Sequence, residues 1–174
     1  MKILNRSKTT GFTLTEAIVT VGIVGTLSAI AVPTYIEETK KSSQSEAMSL
    51  ITQIMNQTAA FNDEFGMPAT SWNDLDKIAT IQTTSGSATA NNFSWIILQP
   101  GKYGIMALQS GNSYTFTATP SSTNIIDPEP LNPENSTSLN NYNIVACLNV
   151  ATGASDIRKG TYSAAASSSE LNCN

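Results

Sequence analysis

The sixteen residues from Ala17 to Val32 carry no charged side chain, and apolar or small residues occupy every face of the helix they would form. Extended through Pro33, Thr34, Tyr35 and Ile36, the run reaches twenty residues, about 30 Å as a helix and close to the thickness of a bilayer core. Past Ile36 polar residues return and the pattern changes. Ala47, Leu50, Ile51, Ile54, Thr58, Phe61 and Phe65 recur at spacings of three and four, which predicts an amphipathic helix with one stripe laid on a globular domain. Gly66 and Pro68 supply its stop signals. If the two stretches are one helix, it runs roughly 75 Å from Phe12 to about Phe61.

Beyond residue 66 the period shortens. Ser71-Trp72-Asn73-Asp74 reads as a capping box before Leu75 and Ile78, hence a short helix. Four strand candidates follow, at 93–99, 102–109, 113–119 and 142–150. Pro100-Gly101 and Ser110-Gly111-Asn112 are turn signals, so the first three strands should form a meander. Tyr114, Phe116 and Ala118 alternate with Thr115, Thr117 and Thr119, which predicts a face packed on the Ile54 stripe and a wet face opposite. Residues 120–141, rich in Pro, Ser and Asn, read as a long exposed loop. Asn56, Asn92 and Asn135 open N-x-Ser/Thr triplets, too common in so Ser/Thr-rich a chain to predict glycosylation. The expected class is α+β: a long N-terminal helix, half transmembrane and half amphipathic, on an antiparallel meander of about four strands.

Composition narrows the function. The 174 residues include nine Lys or Arg, thirteen Asp or Glu, two Cys and no His, with 13% charged and a net charge of −4. Without His, the commonest general base and the commonest zinc ligand are both missing. No Ser–Lys spacing supports a nucleophile, so the chain reads as a non-enzyme, with no cofactor or metal expected. A tip DNA-binding module would have to rely on Lys77, Lys102, Arg158 and Lys159, which makes nucleic acid a weak and salt-sensitive partner. Charge is also segregated. Residues 1–11 hold Lys2, Arg6 and Lys8 and no acid, and Glu16 is the only charged side chain from Phe12 to Ile36.

That N-terminus admits three readings. A cleaved secretory signal accounts for the basic flank and for Ala29-Ile30-Ala31 as a small-x-small site, but places Glu16 at the mouth of the apolar segment. A plain membrane anchor accounts for length and flank and leaves Glu16 without a role. The third uses every feature: Gly11-Phe12-Thr13-Leu14-Thr15-Glu16 before a long apolar helix resembles the prepilin signature of type IV pilins. The resemblance covers about residues 6 to 45, and Thr15 departs from it where the family usually has Ile, Leu or Val. A threonine can return its hydroxyl to a carbonyl one turn back, so the helix tolerates it.

The resemblance implies residues 1–11 as a leader, 12–36 as the transmembrane and filament-core helix, 37–66 as its amphipathic continuation and 67–174 as the head. A prepilin peptidase would cut after Gly11 and methylate the new terminus at Phe12. Glu16 would pair with the terminal amine of a neighbouring copy, and Gly22, Gly25 and Pro33 would let the helix loosen in the filament. In an exported chain Cys147 and Cys173 should form a disulfide that pins the tail to the last strand, as in many type IV pilins. The implied partners are further copies of the chain, the peptidase and methyltransferase, the inner-membrane assembly machinery, and the membrane before assembly. The implied destination is a surface filament for adhesion, twitching motility or DNA uptake. A minor pilin or a type II secretion pseudopilin remains the near alternative. The tail's two acids, Asp156 and Glu170, make a poor calcium cage of the pseudopilin kind. Removing the leader takes three cations and no acids, leaving six against thirteen, or −7 over 163 residues.

Overall fold

The computed structural model describes residues 11–121 and 141–173. Helix α1 runs Leu14–Phe65. The chain divides into two compact units, residues 1–38 and 39–174. In the second, α1 is followed by a short helix α2 (Trp72–Asp76) and strands β1 (Gln82–Thr83), β2 (Gly86–Ser87), β3 (Ile96–Leu98), β4 (Tyr103–Ser110), β5 (Ser113–Pro120), β6 (Ile144–Asn149) and β7 (Ser155–Lys159). A 3-10 turn, Ser168–Glu170, lies near the C-terminus. The seven strands form one sheet in the order β2-β1-β3-β4-β5-β6-β7, antiparallel at every pairing.

The expected α+β layout of a long helix, an antiparallel sheet and a C-terminal disulfide is therefore present. Two details differ. Among the described residues the sheet has seven strands where about four were expected, because β1 (Gln-Thr), β2 (Gly-Ser) and β7 (Ser-Asp-Ile-Arg-Lys) are short and hold a single large apolar residue between them. The strand expected over 93–99 shrinks to Ile96–Leu98, with Phe93 turned instead onto the edge of Trp72. The loop read at 120–141 and Asn135 lie mostly or wholly outside the described residues.

Helix α1 ends where its stop signals fall, at Phe65, with Gly66 in the left-handed conformation (φ 66°) that a side chain would strain. In the second unit its buried positions are Gln44, Ala47, Ile51, Ile54, Met55, Gln57, Thr58 and Phe61. The stripe read from periodicity is thus largely present, with Leu50 at its margin. Phe65 is a correction. It is 48% exposed at the last position of the helix, where its ring contacts Phe61 at 4.5 Å between centroids.

Facing the stripe are Ile105 and Ala107 of β4, Tyr114, Phe116 and Ala118 of β5, and Ile144, Ala146 and Leu148 of β6, all in one core cluster. The alternation read in β5 holds, with Thr115, Thr117 and Thr119 on the opposite face. The Tyr114 hydroxyl donates to the Ala69 carbonyl at 2.7 Å, and burial pushes that phenol up to about 12.

Two buried glutamines in this stripe have no hydrophobic signal. The Gln44 amide nitrogen donates to the carbonyls of Tyr142 (3.1 Å), Asn143 (3.3 Å) and Gly160 (2.9 Å). One side chain thereby joins the helix to the starts of β6 and of the C-terminal tail. Gly160 must be glycine here, since a Cβ would run into the Asn141 carbonyl and the Asn143 side chain. The tail is fixed further by Asn143, which donates to the Ala166 carbonyl and accepts from the Ala166 N–H, both at 2.8 Å. Cys147 and Cys173 form the disulfide, with Cα atoms 6.1 Å apart. Cys147 sits in β6, the strand expected over 142–150, so the tail is pinned where expected, and a further strand, β7, follows it.

The cap expected at α2 is present, with its return arm falling on the Thr70 N–H in place of the Ser71 N–H. Ser71 Oγ accepts from the Asp74 N–H at 3.2 Å. Asp74 Oδ2 in turn accepts from the Thr70 N–H, the Thr70 hydroxyl and the Ser71 hydroxyl, at 3.0, 3.1 and 2.9 Å. Desolvation works to raise the Asp74 carboxyl, but the Lys77 ammonium at 2.9 Å and these donors outweigh it and hold it at about 2.

Two outcomes are predicted. Gln44→Ala should lower unfolding stability by about 2 kcal/mol, since three buried carbonyls lose their shared donor. A change under about 0.5 kcal/mol in chemical denaturation would show that water replaces the amide at no cost. For Asp74 the folded-state value lies below the ordinary 3.8, so its contribution is complete above that pH and is lost as pH falls through about 2. Asp74→Asn should flatten the stability profile in that acid window only. An unchanged slope there would rule the linkage out.

Candidate assembly segment at the start of helix α1

Every residue from Gly11 to Tyr35 is exposed. The exposed side chains include Phe12 (78%), Leu14 (78%), Val21 (72%), Leu27 (62%) and Ile30 (72%). An 18-residue window of the helix has a mean hydropathy of 1.9, with none of it buried, so this stretch is long and apolar enough to cross a membrane. An apolar surface of this extent is covered by lipid or by other protein in a stable state.

The helix begins on a capping box. Thr13 precedes the first helical residue, and its hydroxyl accepts from the Glu16 N–H at 3.2 Å. Glu16 Oε2 accepts from the Thr13 N–H at 2.9 Å and from the Thr13 hydroxyl at 2.7 Å. Two of the four N–H groups left open at a helix start are satisfied this way, and the carboxylate faces the positive end of the helix dipole. The T-x-x-E spacing at 13–16 is the same signature that marks Ser71 and Asp74. Thr13 is therefore the residue of this segment that a search for a charge partner passes over. Both contacts fall on Oε2, so Oε1 takes no part in the box.

The back-bonding expected of Thr15 is made by its neighbours. Thr20, Thr26 and Thr34 donate to the carbonyls of Glu16 (2.6 Å), Ile23 (2.9 Å) and Ile30 (3.0 Å). Gly22 and Gly25 are helical, and a Cβ added at either meets nothing within 4 Å. Each costs about 1 kcal/mol relative to alanine, with no packing gain inside this chain. Pro33 also lies inside α1, where its missing N–H leaves the Ala29 carbonyl without its helical donor.

Of the four cations considered for nucleic acid, three are ion-paired with carboxylates of the chain. Lys77 pairs with Asp74 at 2.9 Å, Lys102 with Glu46 at 3.2 Å and Arg158 with Asp156 at 3.2 Å. Desolvation works to raise the Asp156 carboxyl, but the Asn172 N–H and Arg158 hold it below the ordinary carboxylate range. Among the described residues no three His, Cys, Asp or Glu side chains come together as a metal site.

No family model, no curated protein and no solved structure matches the chain.

Capping and charge can be separated by substitution. Glu16→Gln keeps an acceptor at the third helical position, so the first turn should stay protected from amide exchange. Thr13→Ala should open it at a cost of about 1 kcal/mol. Equal protection in the two variants, measured by hydrogen exchange on the full chain in micelles, would show that the box contributes nothing.

Proposed function

We propose that this chain is a type IV pilin-like filament subunit. It is made as a single-pass membrane precursor, cut after Gly11, N-methylated at Phe12 and polymerised through its N-terminal helix into a surface filament. The observation that carries this reading is the fully exposed apolar stretch at 11–35, whose one carboxylate, Glu16, is held in the first helical turn five residues after Gly11. Glu16 gives a physical route to assembly. A carboxylate moved into an apolar surrounding has to be protonated or meet a cation, and cleavage before Phe12 makes a cation at the same depth. Because capping uses Oε2, the other oxygen is the one that would meet a neighbour's amine.

Glycines with open space around them fit the same picture. Gly22 and Gly25 let a second helix approach closely, which gives their helical cost a return that the single chain lacks. The disulfide-closed C-terminal region and the antiparallel sheet fit an exported head. The partners are then other copies of the chain, the processing peptidase and the membrane-embedded assembly machinery.

Mass spectrometry with N-terminal sequencing of the mature protein decides the processing step. N-methyl-Phe12 is expected, whereas a start at Val32 would mean ordinary secretion and a start at Met1 a plain anchor. For assembly, Glu16→Gln should reduce sheared filament at least ~10-fold while precursor remains in the membrane, as expected for a buried charge left without its partner. Thr13→Ala, which keeps the charge, should assemble near the normal rate. Normal polymerisation of Glu16→Gln would remove the charge-pair mechanism.

A further inference from the structure

The β1–β2 hairpin and the start of β3, with no residue of helix α1, line a shallow open depression of about 530 Å³. That lies in the range of small-molecule sites. Its lining is chemically one-sided. Thr84, Ser85, Ser87 and Thr89 are exposed hydroxyl residues, Trp95 is the one aromatic, and the rest are alanine, isoleucine and the buried Thr83. No ionisable side chain lines it.

Trp95 is 46% exposed although large apolar side chains are usually covered, and its position is built. The indole lies over Gly104 of β4, where a Cβ would collide with the ring. Its neighbour Ser94 is held on both sides. The Ser94 carbonyl accepts from the buried Trp72 indole N–H at 2.7 Å, and the Ser94 N–H donates to Asn92 Oδ1 at 3.1 Å. The opposite wall is fixed too. The Thr83 hydroxyl donates to the Gly86 carbonyl at 2.7 Å and accepts from the Ser85 N–H at 3.2 Å, and Gly86 takes a positive φ of 110°. A ring seated on a glycine beside a rigid, hydroxyl-bearing turn is preorganised for a ligand with one flat apolar face and a polar rim.

We propose that this pocket binds a neutral saccharide unit. The C–H face of a pyranose carries slight positive charge and complements the negative face of the indole. Serine and threonine hydroxyls both donate and accept, as sugar hydroxyls require. An uncharged lining gives no attraction to acidic or basic ligands. A purely apolar ligand would leave the hydroxyls without partners. Proline-rich peptides dock on grooves lined by several aromatics, and here Trp95 stands alone. The site does not depend on filament assembly.

The test uses the full chain in a detergent that carries no sugar head. Lactose, cellobiose and N,N′-diacetylchitobiose are titrated, with glucuronate and a decaproline peptide as comparisons. Saturation-transfer NMR on the ligand and tryptophan fluorescence are the readouts, and the part of the fluorescence response that is absent from Trp95→Ala reports Trp95. At least one disaccharide should bind saturably. Trp95→Ala should weaken binding ~10-fold or more, the scale of an aromatic contact, and Trp95→Phe should retain most of it. Gly104→Ala, which displaces the indole and leaves every hydroxyl in place, should weaken binding as well. The double variant Thr84→Val with Ser85→Ala should do the same, and decides the matter if Trp95→Ala does not fold. No saturable response to any disaccharide overturns the proposal. So does undiminished binding by folded Trp95→Ala, or decaproline as the one ligand bound.

Discussion

The buried stripe of α1 from Gln44 to Phe61 is the surface on which the second unit is organised. Ile51, Ile54 and Phe61 have almost no exposure, and the inner faces of β4, β5 and β6 close over the same cluster. Burying a side chain of this size contributes roughly 1.5–3 kcal/mol relative to leaving it in water. A sheet whose outer strands are two to five residues long would be marginal without that support. Strand alternation follows from the same constraint, because a slip of one residue would turn Tyr114, Phe116 and Ala118 out to solvent.

Polar groups within this core fix position more than they add stability. Gln44 donates to three carbonyls from two separate segments, so the helix is tied to β6 and to the tail at one point. Asn143 holds Ala166 through both of its amide atoms, and the Cys147–Cys173 bridge closes the same tail further on. The tail is thus fixed by specific pairing where little apolar area is available to fix it.

The first unit works under the opposite condition. Among its described residues the apolar side chains from Phe12 to Val32 are exposed, and the polar contacts of that stretch are local: a capping box at Thr13 and Glu16, then threonine hydroxyls returned to the preceding turn. Local bonds of this kind make a helix that holds its shape without packing, which is what a segment needs if its surroundings are supplied from outside. Glu16 caps its own helix through one oxygen, and under the proposed assembly the other would meet a second molecule.

Much of this was legible along the chain. The apolar run from Ala17, the stripe around Ile54, the stop at Gly66, the capping box at Ser71 and the alternation in β5 each follow from periodicity or local backbone chemistry. Such signals survive in one dimension because they reflect contacts within a turn or along one face of an element. The sequence alone also placed Gly11, Phe12 and Glu16 at the spacing of a processing signature. Only the tertiary structure decided the rest. It buried Gln44, left Phe65 exposed, extended the sheet with β1 and β2 at one end and β7 at the other, set Cys147 in the penultimate strand, and laid Trp95 over Gly104. Each depends on residues far apart in sequence, and no periodicity records which distant backbone carbonyl or glycine will lie beneath a given side chain.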